Sequence, residues 1–144
     1  MKCAHFSTED TLIVAEYAVD DQKVVVRDAG LLDSATHRPS ASVFGEEAYP
    51  DPVSRAAALF QSLAVNHPFV DGNKRTARLS CVTFLAMNGI RLRPDIDAAE
   101  RLVIAVTTGE AGEIDAIVRG LTELIDPEAR GGDPEARGIA PDVR

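Results

Sequence analysis

The sequence predicts an all-α fold: a compact helical domain with a small flap, either a loop or a hairpin, ahead of its most polar helix. Three observations carry that expectation. Hydrophobic residues make up 45% of the chain and aromatics only 5%, with no Trp. Ala, Leu and Val dominate the apolar set, which suits helices better than a β-sandwich. Apolar residues also recur at helical spacing in successive windows, separated by Gly and Pro. Finally, the 144 residues suit one domain, a length at which folding buries roughly two-thirds of the chain's surface.

The elements follow in order. Ser7-Thr8-Glu9-Asp10 is a helix start, with a hydroxyl cap followed by acidic residues that suit the positive helix end. A partial stripe through Leu12, Ile13, Ala15 and Val19 carries this helix to about Ala18. Val24-Val25-Val26 is a β-branched run, read as a brief strand or an extended linker. A short helix over Asp28–Ala35 comes next. Arg38-Pro39 breaks it, because Pro disfavours helix in the residue before it, and Arg38–Gly45 reads as an exposed loop or small hairpin. Asp51-Pro52 opens a helix with Pro at its first position and an apolar face of Ala56, Leu59, Phe60, Leu63 and Ala64, ending near Asn66. Asp71 is expected to open the next helix, which runs through Leu85 and stops at Asn88-Gly89. Asp97 is expected to cap another, with Leu102, Val103, Ala105 and Val106 inside, interrupted by Gly109 and Gly112. A last amphipathic helix carries the stripe Ile114, Ile117, Val118, Leu121, Leu124 and Ile125. Beyond it, Asp126-Pro127-Glu128-Ala129-Arg130-Gly131 is repeated as Asp133-Pro134-Glu135-Ala136-Arg137-Gly138, and this Pro/Gly/charge tail is expected to be disordered.

A formal net charge of −8 argues against general nucleic-acid binding, which needs Lys and Arg against phosphate. Any anion site must be a local basic cluster. The two cysteines, Cys3 and Cys81, form neither a disulfide framework nor a C-x-x-C metal pattern, and a reducing cytosol is the simplest reading. No apolar signal core follows Met1, and no window approaches the ~18 apolar residues of a membrane span. The expectation is a soluble cytoplasmic protein with no membrane partner.

The chemistry concentrates in His67-Pro68-Phe69-Val70-Asp71-Gly72-Asn73-Lys74-Arg75-Thr76-Ala77-Arg78. If the helix starts at Asp71, then Asp71, Lys74, Arg75 and Arg78 share one face. Leu79, Val82, Leu85 and Ala86 lie elsewhere on it and are expected to anchor it in the core. Gly72 and Asn73 fall in the first turn, where backbone N–H groups lack internal partners and the dipole attracts anions. Donors, cations and one carboxylate together point to a phosphate site with a metal. Asp71 would hold Mg²⁺, which favours one or two carboxylates plus nucleotide oxygens. Imidazole titrates close to neutral pH, so His67, just before the helix, is a candidate base for an attacking hydroxyl. Phe69 reads as a core anchor. Each residue alone also has a bland reading, since a His before a helix is commonly a cap and a charged helix face is commonly solvated. Together, however, they match H-x-F-x-[DE]-G-N-x-R-x-x-R, and chance agreement at all its constrained positions is on the order of one in a million.

This segment resembles the signature of Fic-domain proteins. Lys74, between Asn73 and Arg75, is similar to the Doc branch, the death-on-curing toxins of toxin–antitoxin modules. Arg27–Ala35, Arg38-Pro39 and Phe44-Gly45 through Tyr49-Pro50 resemble the region upstream of the motif in that branch. The resemblance covers about residues 8–125 and excludes the tail; it implies a catalytic domain over 1–125 followed by the tail, 126–144. It implies that His67 is the general base, that Asp71 is the Mg²⁺ ligand, and that Gly72, Asn73 and Lys74 form an anion hole. Arg75 and Arg78 would contact phosphate. Arg38–Gly45 would be the flap, which aligns a target segment by main-chain pairing.

AMP-transferring Fic proteins usually carry Gly where this chain has Lys74. In the Doc branch the Lys goes with a reversed nucleotide and transfer of the terminal phosphate of ATP, making a protein Ser/Thr kinase. Arg78 matches the Fic pattern and leaves AMP transfer as the alternative. A non-catalytic binding module with the same fold is a further alternative. The inhibitory motif S/T-x-x-x-E-[GN] does not occur, which fits inhibition in trans by a separate, Phd-like antitoxin. The target implied by the resemblance is a translation factor such as elongation factor Tu, modified on a Thr.

Overall fold

The computed structural model describes residues 3–19 and 23–127. Among these lie six α-helices: α1 (Thr8–Ala18), α2 (Ala29–His37), α3 (Pro52–Asn66), α4 (Asn73–Met87), α5 (Ile96–Thr108) and α6 (Ile114–Leu124). One antiparallel hairpin, β1 (Ser42–Val43) with β2 (Glu46–Glu47), stands between α2 and α3 after a 3₁₀ turn at Arg38–Ser40. The all-α expectation with a small flap therefore holds, and the flap is a hairpin. The Pro/Gly repeat expected to be disordered lies, from residue 128 onward, outside the described residues.

Local chemistry explains most boundaries. Ser7 caps α1 by accepting from the Asp10 N–H, and the Asp10 carboxylate accepts in return from the Ser7 N–H. Asp28 caps α2 and Asp51 caps α3, whose first position is Pro52. Two starts differ from the sequence expectation. Helix α4 begins at Asn73 with Gly72 as its cap, so Asp71 lies outside the helix and does not share a helical face with Lys74, Arg75 and Arg78. Helix α5 is capped by Asp95, whose carboxylate accepts from the Ala98 N–H, and Asp97 sits in its first turn.

Helix α3 is the centre of the fold. Ala56 to Phe60 and Ser62 to Ala64 are all buried, so this helix is apolar nearly all round, the pattern of an interior helix. Helices α2, α4, α5 and α6 and the 3₁₀ turn pack around it. Phe69, Phe84, Leu59, Leu63, Leu85, Ile117 and Leu121 fill the core, each contributing about 1.5–3 kcal/mol by burial.

Helix α4 meets this core through Ala77, Cys81, Phe84 and Leu85. Of the four residues expected to anchor it, Leu85 is buried, whereas Leu79, Val82 and Ala86 are half-buried and line a cleft of about 400 Å³. The cleft lies between α4, the Ile90–Asp95 segment, α5 and α6. On its other side α4 packs against α1 through small side chains: Thr11, Ala15 and Ala18 on α1, Thr76 and Ser80 on α4, all buried. That close approach sets the end of α1 beside the start of α4.

Candidate active site

The segment between α3 and α4 is held from several sides. His67 ends α3 in the left-handed region, φ 51° and ψ 60°. Such a conformation costs a non-glycine residue about 1–3 kcal/mol and persists where the surroundings over-determine it. Here they do. The Arg27 guanidinium donates from Nε to the His67 carbonyl (2.7 Å) and from Nη2 to the Asn66 carbonyl (2.9 Å). The backbone N–H groups of Arg27 and Asp28 both donate to the Pro68 carbonyl, at 2.7 and 3.1 Å. Val26 pairs with Phe69 in an antiparallel bridge, and the Val70 N–H donates to the Val25 carbonyl at 3.0 Å. The Val24–Val26 run is thus an extended segment that pairs with the motif loop through a single bridge. Phe69 sits in the core, 2% exposed, as its anchor role required.

Asn73 closes this loop from the far end. Its Oδ1 accepts from the Phe69 N–H (2.9 Å) and its Nδ2 donates to the Phe69 carbonyl (2.8 Å), both in a buried setting. The side chain is therefore consumed by the loop, and what it offers an anion is its backbone N–H at the first helical position. Gly72, with φ 80°, is needed for two reasons: the left-handed turn, and a Cβ there would lie 2.9 Å from Val19 Cγ1.

Helix α4 starts without a side-chain cap; its first intrahelical bond runs from the Thr76 N–H to the Gly72 carbonyl, 2.8 Å. The N–H groups of Asn73, Lys74 and Arg75 precede that bond and have no intrahelical acceptor. An anion is the chemical complement of such an end. Lys74 is exposed beside it, Asp71 is exposed just ahead of it, and the His67 imidazole is exposed at the end of α3. Arg75 is turned toward α1, where Nη1 donates to the Ala18 carbonyl at 2.9 Å, so part of its guanidinium ties α4 to the end of α1. Arg78 is half-buried and lines the cleft on the α5–α6 side of α4. The motif residues thus divide: His67, Asp71, Gly72, Lys74 and the α4 N–H groups gather around one turn, Arg75 bridges to α1, and Arg78 points to the cleft.

Among the described residues no three His, Cys, Asp or Glu side chains converge as a metal cage. One exposed carboxylate at the mouth of a helix N-terminus is nevertheless the donor set that suits Mg²⁺ shared with phosphate oxygens.

The hairpin stands on the same central helix. Its turn, Phe44 (φ 52°) and Gly45 (φ 80°), has positive φ at both central residues, as a type I′ turn requires. Phe44 is wholly exposed at the tip. Arg38 fixes the base: Nη1 donates to Gln61 Oε1 (2.7 Å) and Ser62 Oγ (2.9 Å), Nε donates to the Tyr49 hydroxyl (3.1 Å), and the guanidinium lies over the Tyr49 ring. Ser62 is about 8 Å along the helix axis from His67, at 1.5 Å per residue. Arg55 adds an ion pair to Glu47 (2.8 Å) and a bond to the Tyr49 carbonyl (2.8 Å). From sequence, Arg27 only lies in a stretch of resemblance and Arg38 only opens the flap, with no bonding role for either; their partners are 39–40 and 11–24 residues away, and no short-range pattern points to them.

Two comparisons bear on this arrangement. The chain belongs to the Fic/DOC family, whose family model matches residues 5–85. A curated protein named Toxin Doc, from Mycolicibacterium smegmatis (strain ATCC 700084 / mc(2)155), is 45% identical over 119 residues, covering 81% of this chain and 90% of that protein. Among the described residues no helix is long and apolar enough to cross a membrane.

Proposed function

We propose that this chain is a Doc-like toxin of a type II toxin–antitoxin module, a cytoplasmic protein kinase that transfers the γ-phosphate of ATP to a Ser or Thr hydroxyl of a target protein. The observation that carries the reading is the uncapped start of α4 with Lys74 at its second position, next to an exposed His67 and Asp71. The 45% identity to a protein named Toxin Doc supports it.

The chemistry follows from the residues. The N–H groups opening α4 and the Lys74 ammonium bind phosphate oxygens and oppose the charge that builds during transfer. Asp71 would hold Mg²⁺, which screens the charge of the phosphates. His67 takes the proton of the attacking hydroxyl as its oxygen bonds to the γ-phosphorus. The bond from that phosphorus to the bridging oxygen breaks, and ADP leaves. The hairpin, braced on α3 by Arg38, offers strand edges for a target segment. Elongation factor Tu is the target to try first, and a Phd-like antitoxin is the expected inhibitor.

Expression in a bacterium tests the role of His67. The parent is expected to arrest growth and His67→Ala to leave it normal; arrest by both would remove catalysis at His67 as the cause. AMP transfer is the second reading, favoured by Arg78 on α4, and labelled nucleotides separate the two.

A further inference from the structure

We propose that Arg27 is a positioning residue for His67, an inference that rests on reading His67 as the general base. One residue engages three consecutive carbonyls. Arg27 donates from Nη2 to Asn66, from Nε to His67 and from its backbone N–H to Pro68, at 2.9, 2.7 and 2.7 Å. These carbonyls lie at and just beyond the end of α3, where helical carbonyls lack partners and the dipole favours a cation.

The need for such a clamp is visible in the backbone. His67 holds φ 51° and ψ 60°, a well that an unrestrained histidine seldom occupies. Among the described residues the imidazole makes no hydrogen bond or ion pair, so what the fold fixes is where its Cα–Cβ bond leaves the chain, and with it the space the ring can reach. That bond is fixed by the orientation of the flanking peptides, whose carbonyls Arg27 holds. The planar guanidinium meets two carbonyls in one fixed fork; an ammonium is a point charge and does not impose the same angle. Asn73 restrains the other end of the loop through Phe69, which leaves Arg27 as the side chain acting on His67 itself.

The test measures His67 and transfer separately. Arg27→Ala and Arg27→Lys are compared with the parent by the NMR resonances of the His67 amide and ring. Transfer is followed as label from γ-labelled ATP into the proteins of a bacterial lysate at varied ATP. The expected result for Arg27→Ala is broadened or doubled His67 resonances and a kcat at least tenfold lower, since misplacement by about 1 Å can cost 10²-fold. The KM for ATP is expected to stay near the parent's, because the Arg27 guanidinium bonds to the carbonyls of Asn66 and His67 and not to the start of α4. Arg27→Lys is expected to keep stability while recovering only part of the rate, and it decides the question if Arg27→Ala does not fold. Unchanged His67 resonances with a parental kcat in the folded variant would overturn the proposal. His67→Ala is the separate control: if it keeps the parental rate, His67 is not the base, and the catalytic role assigned to Arg27 falls with it even where the resonances move.

Discussion

At the scale of single residues, Asn73 and Gly72 are where substitution is most informative. Asn73→Ala removes both bonds to Phe69 and leaves a buried N–H and C=O unpaired. A cost of about 2–6 kcal/mol is expected, from roughly 1–3 kcal/mol for each of the two unsatisfied buried groups, and urea unfolding would measure it. Gly72→Ala faces a left-handed φ and a contact with Val19 at 2.9 Å. It is expected to lose about 1–3 kcal/mol and to shift the start of α4. An unchanged midpoint in either variant would contradict the loop geometry. The Cys81 thiol belongs to the same scale. Burial pushes its pKa up from the ordinary 9.0 to about 12, so the folded state keeps the proton where the unfolded chain has lost it. The stability this represents is complete below pH 9 and is lost as pH rises from there through about 12. Near pH 8 a thiol reagent should therefore modify Cys3, which is half-buried, far faster than Cys81. Equal labelling rates in the native protein would refute the buried setting.

At the scale of elements, the hairpin sets stability against use. Phe44 carries positive φ in a type I′ turn where Asn is preferred, and its ring is wholly exposed. Phe44→Asn is expected to hold or raise the melting temperature, by up to about 1 kcal/mol of relieved strain. If the ring meets the target, the same change lowers transfer. A lower melting temperature would contradict the turn assignment. The helices show which boundaries a sequence discloses. Ser7, Asp28 and Asp51 bond to backbone within three residues of themselves, so their caps are local and readable. The start of α4 was misplaced because Asp71 has the chemistry of a cap, while the actual cap, Gly72, is selected by packing against Val19, far away in sequence. From sequence, Asp97 alone is the expected cap of α5; Asp95 has the same side chain two residues earlier, and only the folded geometry shows that it is the one that reaches Ala98. Helix α4 shows the converse. Its buried face is largely small and polar, Thr76, Ala77, Ser80 and Cys81, because it sits between α1 and α3, and hydrophobicity alone directed attention to Leu79 and Val82 instead.

At the scale of the whole molecule, an acidic chain of net charge −8 sets Lys74 beside the N–H groups that open α4, while Arg75 and Arg78 turn to α1 and to the cleft. The spacing of His67, Asp71, Gly72, Asn73 and Lys74 made that site legible, because its donors lie within eight residues of chain. Its supports were not legible: Arg27 and Arg38 arrive from other segments through the fold. If the site binds Mg²⁺ and ATP, saturating both should raise the unfolding temperature. The linkage is about 2.7 kcal/mol at a hundredfold excess over Kd. Asp71→Ala should lose the Mg²⁺-dependent part of that rise, and a full rise in the variant would remove Asp71 as the metal ligand.

The central claim is transfer of the terminal phosphate, and two labels on ATP test it most directly. The protein is incubated with elongation factor Tu and ATP labelled at the α or the γ phosphate, with His67→Ala beside it. Label reaching protein from the γ position alone, and lost in His67→Ala, is the predicted result. Label arriving from the α position would contradict it and establish AMP transfer at the same site.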